Sequence, residues 1–222
     1  MTENCPISFY FFMQDTQHFG QWGIVIVMVV IFIWFIFRFL RPQKKYEWQR
    51  NGIFSAFLIA LYAEMYGFPL TIYILASLFK IDIPLNRVEG QHLWAFLFGW
   101  GERGAIIEMA VGYLVMTIGI LLVIVGWKKV YGAKGALATA GIYGYLRHPQ
   151  YTGIFLITIG MLIHWPTLIT LLMWPLMVIV YYNLAKREEK EMVARFGPDY
   201  LEYCQKVPRF WPKLSAIKNQ IF

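Results

Sequence analysis

From Ile24 to Phe37 the chain reads IVIVMVVIFIWFIF, fourteen apolar residues with no charge and no turn former. A helix rises about 1.5 Å per residue, so the enclosing segment 21–40 is long enough to cross a hydrocarbon core of roughly 30 Å. Arg38, Arg41, Lys44 and Lys45 close it. The remaining composition agrees: of 222 residues 59% are apolar and 15% charged, whereas a soluble domain needs about 25% charge to cover its surface. The fold class predicted is an all-α integral membrane protein.

Four further apolar segments follow the first. Residues 52–79 make a second span, long enough to tilt and kinked at Gly67 and Pro69. Residues 105–127 make a third. Segment 152–163 is short and ends at His164-Trp165-Pro166, and 167–185 completes a C-terminal helical hairpin. About five transmembrane helices and an amphipathic cytoplasmic tail are therefore predicted. The organisation is a 1–20 tail, three N-terminal helices over 21–127, and a C-terminal region over 128–222.

Basic residues orient these spans. Segments 38–50 and 128–151 and the C-terminal tail hold five, four and eight Lys or Arg; the intervening segments hold three in all, within 80–103. The positive-inside bias puts the N-terminus outside and the C-terminus in the cytoplasm. The net charge of +7 is accounted for in this way and does not point to nucleic acid. The first twenty residues hold Glu3 and Asp15 but no Lys or Arg, so no cleavable signal peptide is predicted. Cys5 and Cys204 fall on opposite faces, so neither a disulfide nor a metal site is predicted. Gly112, Gly119 and Gly126 repeat every seven residues and fall on nearly one helix face, a stripe suited to close helix packing.

Two polar patches interrupt this plan on the same face. In the first, Gly135, Gly141 and Gly144 prevent one continuous helix, and Pro149 turns His148 away from helical geometry. Arg147 can clamp a carboxylate, His148 can donate or accept, and Tyr143, Tyr145 and Tyr151 offer faces with polar tips. Arg147 as an interfacial anchor within an aromatic belt explains the stretch equally well. The second patch begins Lys186-Arg187-Glu188-Glu189-Lys190-Glu191 and runs through Phe196-Gly197-Pro198 to Pro212. By itself it reads as a solvated, ion-paired helix face.

Together the patches supply a cation for a carboxylate, carboxylates for an ammonium and for ribose hydroxyls, and aromatic faces for a purine. S-adenosylmethionine presents all four groups. Glu64, between Tyr62 and Tyr66 in the second span, is either an acceptor-side contact or a hydrogen-bond partner for a neighbouring helix.

Arg147-His148-Pro149-Gln150-Tyr151-Thr152-Gly153, followed about 35 residues later by Glu188-Glu189, resembles the RHPxYxG…EE signature of the isoprenylcysteine carboxyl methyltransferase and phospholipid methyltransferase superfamily. Phe196-Gly197-x-x-Tyr200-x-x-Tyr203 and Val207-Pro208-Arg209-Phe210-x-Pro212 resemble that superfamily's tail. The resemblance covers roughly residues 134–212. It implies a cytoplasmic S-adenosylmethionine pocket lined by Tyr143, Arg147, His148, Tyr151, Glu188 and Glu189, with Tyr200 and Arg209 contributed by the tail. Arg147 and Glu189 would carry the catalytic roles. Ile142 stands where many members have proline, and Lys134-Gly135-Ala136 replaces a region where many have histidine, so Lys134 is the expected substitute contact.

Such an enzyme would methylate a lipophilic or lipid-modified acceptor entering from the membrane lipids, an isoprenylcysteine-like carboxylate first among them. A carboxylate acceptor needs no general base, whereas an amine or thiol would require one, Glu189 or His148. The competing readings are a phospholipid amine or small-thiol methyltransferase, an NADPH-dependent sterol-type reductase and a non-catalytic helical scaffold. The pocket segment lacks the dense basic cluster that a 2′-phosphate requires, and a scaffold predicts a dry, apolar hairpin.

Overall fold

The structure, a computed structural model, describes residues 20–39, 45–79, 93–133 and 135–212, and regular structure among them is helical. The helices are α1 (Trp22–Phe39), α2 (Lys45–Tyr62), α3 (Leu70–Phe79), α4 (Leu93–Leu97), α5 (Gly101–Gly132), α6 (Pro149–His164), α7 (Leu168–Phe196) and α8 (Pro198–Lys206). The N-terminal tail to residue 19, most of the 80–103 loop and Lys134 lie outside the described residues.

Helices α5 and α7 are each long and apolar enough to cross a membrane. Their apolar side chains face outward: Ile106, Ile107, Leu114 and Leu121 on α5 and Leu172, Leu176 and Ile179 on α7 are exposed. A core helix of a water-soluble protein would bury these groups. A shorter apolar stretch, Trp22–Phe35, lies in α1, and Ile26, Val27 and Trp34 of α1 are likewise exposed.

The single kinked helix expected over 52–79 is instead two helices. α2 starts earlier, at Lys45, and unwinds through a π-turn, Ala63–Gly67. Phe68 then adopts an extended conformation (φ −125°, ψ 116°) before α3, as a residue preceding proline tends to. The break serves as a docking point for α1, because Gly20 N–H donates to Gly67 O (2.9 Å) and Gln21 N–H to Tyr66 O (2.8 Å). A Cβ on Gly67 would lie 2.7 Å from the Trp22 ring. Glu64 accepts from the Thr71 backbone N–H (3.1 Å) and so caps the start of α3.

The glycine stripe forms the seam between α5 and the antiparallel α6. A Cβ at Gly119 would meet Gly153 O at 2.6 Å, and one at Gly112 would meet Gly160 O at 3.0 Å. Gly153 and Gly160 answer from α6 with the same spacing: a Cβ on either would lie 2.6 or 2.7 Å from an α5 carbonyl oxygen. Backbone meets backbone here, which only glycine permits.

The hairpin turn is held by Thr167, whose hydroxyl accepts from Thr170 N–H (3.2 Å), and by Thr71, which accepts from Leu168 N–H (2.8 Å). Phe57, Leu58 and Leu61 of α2 meet Tyr151, Ile154 and Phe155 of α6 and Met177, Tyr181 and Leu184 of α7 in one buried cluster. α7 does not end near Ala185 as its hydropathy suggests. It continues through the charged patch to Phe196, so residues 186–196 form a polar extension of the apolar helix. Gly197, at φ +57°, stops it and α8 begins at Pro198.

Candidate active site

The segment before α6 turns on glycine, as the sequence requires. Gly141 has φ +68° and packs under Lys129, a 3-10 turn spans Gly141–Gly144, and Pro149 opens α6. The C-terminal tail then lies across this segment. Arg147 N–H donates to Pro208 O (3.0 Å) and His148 N–H to Arg209 O (3.1 Å), and the Thr152 hydroxyl donates to Phe210 O (2.8 Å). Higher in the tail, the Tyr203 hydroxyl donates to Tyr143 O (2.6 Å). Loop and tail are thereby fastened into one surface over the polar end of α7.

Three elements bring their charges together there. His148 sits between two carboxylates, with Nε2 3.2 Å from Glu189 and Nδ1 3.5 Å from Glu188. Tyr151 donates its hydroxyl to Glu188 at 2.5 Å and stacks on the His148 ring at 5.4 Å. Arg147 lies 3.3 Å from Glu189, and Arg209 holds both of that carboxylate's oxygens, at 2.8 and 2.5 Å. The spacing between the two motifs thus corresponds to contact across the hairpin.

These contacts set the protonation states. Burial raises the Glu189 pKa, but hydrogen bonds from Arg209 and His148 and the charge of Arg147 outweigh it and bring it down to about 2. Burial works against the His148 imidazolium, yet hydrogen bonds to Glu188 and Glu189, with their charges, leave its pKa above the usual 6.5. Burial pushes Tyr143, Tyr200 and Tyr203 upward, so all three hydroxyls stay protonated donors.

A cavity of about 450 Å³ opens beside this cluster, within the roughly 300–1,000 Å³ typical of small-molecule sites. Tyr143, Arg147, His148, Tyr151, Glu188 and Tyr200 line it. Glu189 and Arg209 do not. They stand behind Arg147 and form part of a second space. The structure adds Glu191, Met192, Arg195 and Phe196 to the cavity wall, with Leu137 opposite. Their signal was the spacing from Glu188: residues at i, i+3, i+4, i+7 and i+8 share one helix face. Arg195 also donates to Gly135 O at 2.8 Å, joining α7 to the glycine loop.

Residues 104–199 match the family model for phospholipid methyltransferase, and the match takes in the hairpin, the Arg-His-Pro stretch and the paired glutamates. Over this segment the chain is similar to that superfamily. Protein-S-isoprenylcysteine O-methyltransferase of Xenopus laevis is 36% identical over 93 residues, 38% of this chain and 30% of that protein. The Homo sapiens protein of the same name is 32% identical over 83 residues, 37% of this chain and 29% of its own length. The cobalt-zinc-cadmium resistance protein CzcN of Cupriavidus metallidurans is 30% identical over 115 residues, 48% of this chain and 53% of that protein. The chain therefore spans under a third of the two methyltransferase relatives and about half of the resistance protein. Helices α1 to α4 lie outside the segment matched to the superfamily.

Proposed function

We propose that the chain is an S-adenosylmethionine-dependent methyltransferase acting on a lipophilic acceptor whose reacting group is already an anion, an isoprenylcysteine-like carboxylate. The observation that carries this reading is the cavity between α6 and α7, where Arg147, His148 and Tyr151 face Glu188 beneath the tail. Its donor set suits the cofactor. Arg147 is a cation for the amino-acid carboxylate, and Glu188 an acceptor for ribose hydroxyls or the ammonium. Tyr143, Met192 and Phe196 form an apolar and aromatic wall for the purine.

When bound, S-adenosylmethionine supplies a methyl group on a positively charged sulfur. The chain's residues position, enclose and neutralise. Tyr151 fixes the rotamer of Glu188, and His148 bridges the two glutamates. Neither expected base is well suited. Two arginines make Glu189 a weak base and it does not line the cavity, and His148 is biased toward its protonated form. An amine or a neutral thiol must lose a proton to complete the transfer; a carboxylate need not. The O-methyltransferase names of two relatives agree with an anionic oxygen as acceptor. Glu189 we assign to positioning Arg147, His148 and the tail, and Lys134, the expected substitute contact, remains part of the proposal. The site lies on the cytoplasmic side of a multi-pass membrane protein in this reading, which rests on the basic-residue count and the outward apolar faces of α5 and α7.

Calorimetric titration of the purified full chain in detergent with S-adenosylmethionine, S-adenosylhomocysteine and NADPH tests the cofactor. The first two bind and NADPH does not; NADPH binding alone overturns the proposal in favour of a reductase. Labelled methyl transfer to a prenylcysteine analogue, phosphatidylethanolamine and a small thiol then tests the acceptor. Transfer only to the amine would sink the anionic-acceptor assignment.

A further inference from the structure

Adjacent glutamates on α7 point to different spaces. The helix face of Glu188, Met192 and Arg195 lines the cavity described above, while Lys186, Glu189, Lys190 and Val193 line a second one of about 590 Å³. Arg147 and Arg209 complete its polar lining. Four cations thus share this space with one carboxylate. That carboxylate is already shared by Arg209, Arg147 and His148. Among the described residues neither Lys186 nor Lys190 forms an ion pair. The Arg147 Nε–H is buried and has no hydrogen-bond partner. A site with three surplus positive charges and an unmet donor suits a phosphate oxyanion.

A second observation points to the source of that phosphate. Leu172, Ile179, Lys186 and Val193 recur at seven-residue spacing and so share one stripe of α7. Leu172 and Ile179 are exposed, and Leu176 and Tyr182 flank them, also exposed. The stripe turns basic at Lys186, directly after the apolar segment ends at Ala185. Tyr182 marks the boundary, with Lys186 Nζ 4.6 Å and the Arg209 guanidinium 5.0 Å from its ring centre. An apolar track leading to a cationic chamber at headgroup level has the shape of an anionic lipid.

We infer that this second space is a headgroup site for an anionic, phosphate-bearing membrane lipid, its acyl chains lying along Leu172, Leu176 and Ile179. The site shares Arg147 with the proposed cofactor cavity, but Lys186 and Lys190 line this space alone, so their substitution tests the inference separately from methyl transfer.

The full chain in neutral detergent is titrated with dioctanoyl-phosphatidylglycerol, dioctanoyl-phosphatidylcholine, dioctanoylglycerol and inorganic phosphate. Bound lipid is counted by native mass spectrometry and affinity read by thermophoresis. One phosphatidylglycerol should be retained at least tenfold more tightly than phosphatidylcholine, weakening as salt is raised, with no retention of dioctanoylglycerol. The Lys186→Gln/Lys190→Gln variant should lose that preference, while Lys128→Gln/Lys129→Gln on the other side of the glycine loop keeps it. Lys190→Gln alone, at an exposed position, gives an intermediate loss and guards against misfolding of the double variant. Inorganic phosphate binding as tightly as the lipid would show a soluble-anion site and overturn the lipid assignment. Equal retention of phosphatidylglycerol by the Lys186/Lys190 variant would overturn the location.

Discussion

Arg209 takes both carboxylate oxygens of Glu189, through Nε at 2.8 Å and Nη2 at 2.5 Å. The pair joins the C-terminal tail to α7, and the same carboxylate meets Arg147 and His148 from the other side. One side chain therefore couples the tail, the loop and the hairpin. Charge-assisted hydrogen bonds of this kind contribute about 1.5–3 kcal/mol each. Arg209→Ala should loosen the tail, with faster tryptic cleavage near residues 206–209 and roughly tenfold weaker S-adenosylhomocysteine binding. Unchanged proteolysis and affinity would separate the tail from the site.

The same cluster predicts a pH window. Glu189 has its pKa lowered from 4.5 to about 2, so its contribution is complete above 4.5 and lost as pH falls toward 2. His148 is raised from 6.5, so its contribution is complete below 6.5 and lost as pH rises through its higher folded value. Tail protection from protease should be complete between about pH 4.5 and 6.5 and decline as pH rises beyond that window. His148→Gln should flatten the alkaline limb and leave the acid limb in place.

Tyr151→Phe removes one hydroxyl, the donor to Glu188 at 2.5 Å, and keeps the buried ring. The melting temperature should change little. Cofactor affinity should fall about tenfold, because Glu188 loses the contact that orients it. A large loss of stability with normal affinity in the surviving fraction would make Tyr151 a packing residue.

The α5–α6 seam predicts an asymmetry among glycines. Gly119→Ala places a methyl 2.6 Å from Gly153 O and 2.8 Å from Ile157 N, backbone atoms that cannot yield cheaply. A cost of about 1–3 kcal/mol is expected in detergent melts. Gly52→Ala in α2 meets nothing within 4 Å and should be neutral or raise the melting temperature, since alanine favours helix by about 1 kcal/mol.

Glu64 caps the first turn of α3 through Thr71 N–H. Glu64→Ala strips that buried donor of its partner, a loss of about 1–3 kcal/mol. Glu64→Gln keeps an acceptor oxygen and should retain most of the stability and all of the methyl transfer.

Much of this arrangement was legible in the chain. The heptad of Gly112, Gly119 and Gly126 announced a close helix contact, though not that Gly153 and Gly160 would answer it. The distance between His148 and Glu188 in sequence matches one helical hairpin, which is why the two meet. Other features were hidden for physical reasons. Mixed charge from Lys186 onward looks solvated, because composition does not reveal that Met192 and Phe196 share a face with Glu188. Neighbouring residues on a helix differ by about 100° in direction, so treating Glu188 and Glu189 as one acidic pair concealed their separation. The tail's backbone bonds to Arg147 and His148 leave no trace in side-chain pattern. At Phe68-Pro69 local geometry prevailed over hydropathy and divided a continuous apolar run.

The glycine seam has a mechanical consequence. Two helices packed so closely that a Cβ on Gly119 or Gly153 would lie 2.6 Å from the facing carbonyl oxygen cannot slide or part without breaking many contacts at once, so α5 and α6 travel as a single strut. Any doorway that admits a bilayer-borne molecule to the cavity has to be opened by the other wall. That wall is α7, and it carries Pro175 within its apolar half, where a missing backbone donor leaves the rod free to flex.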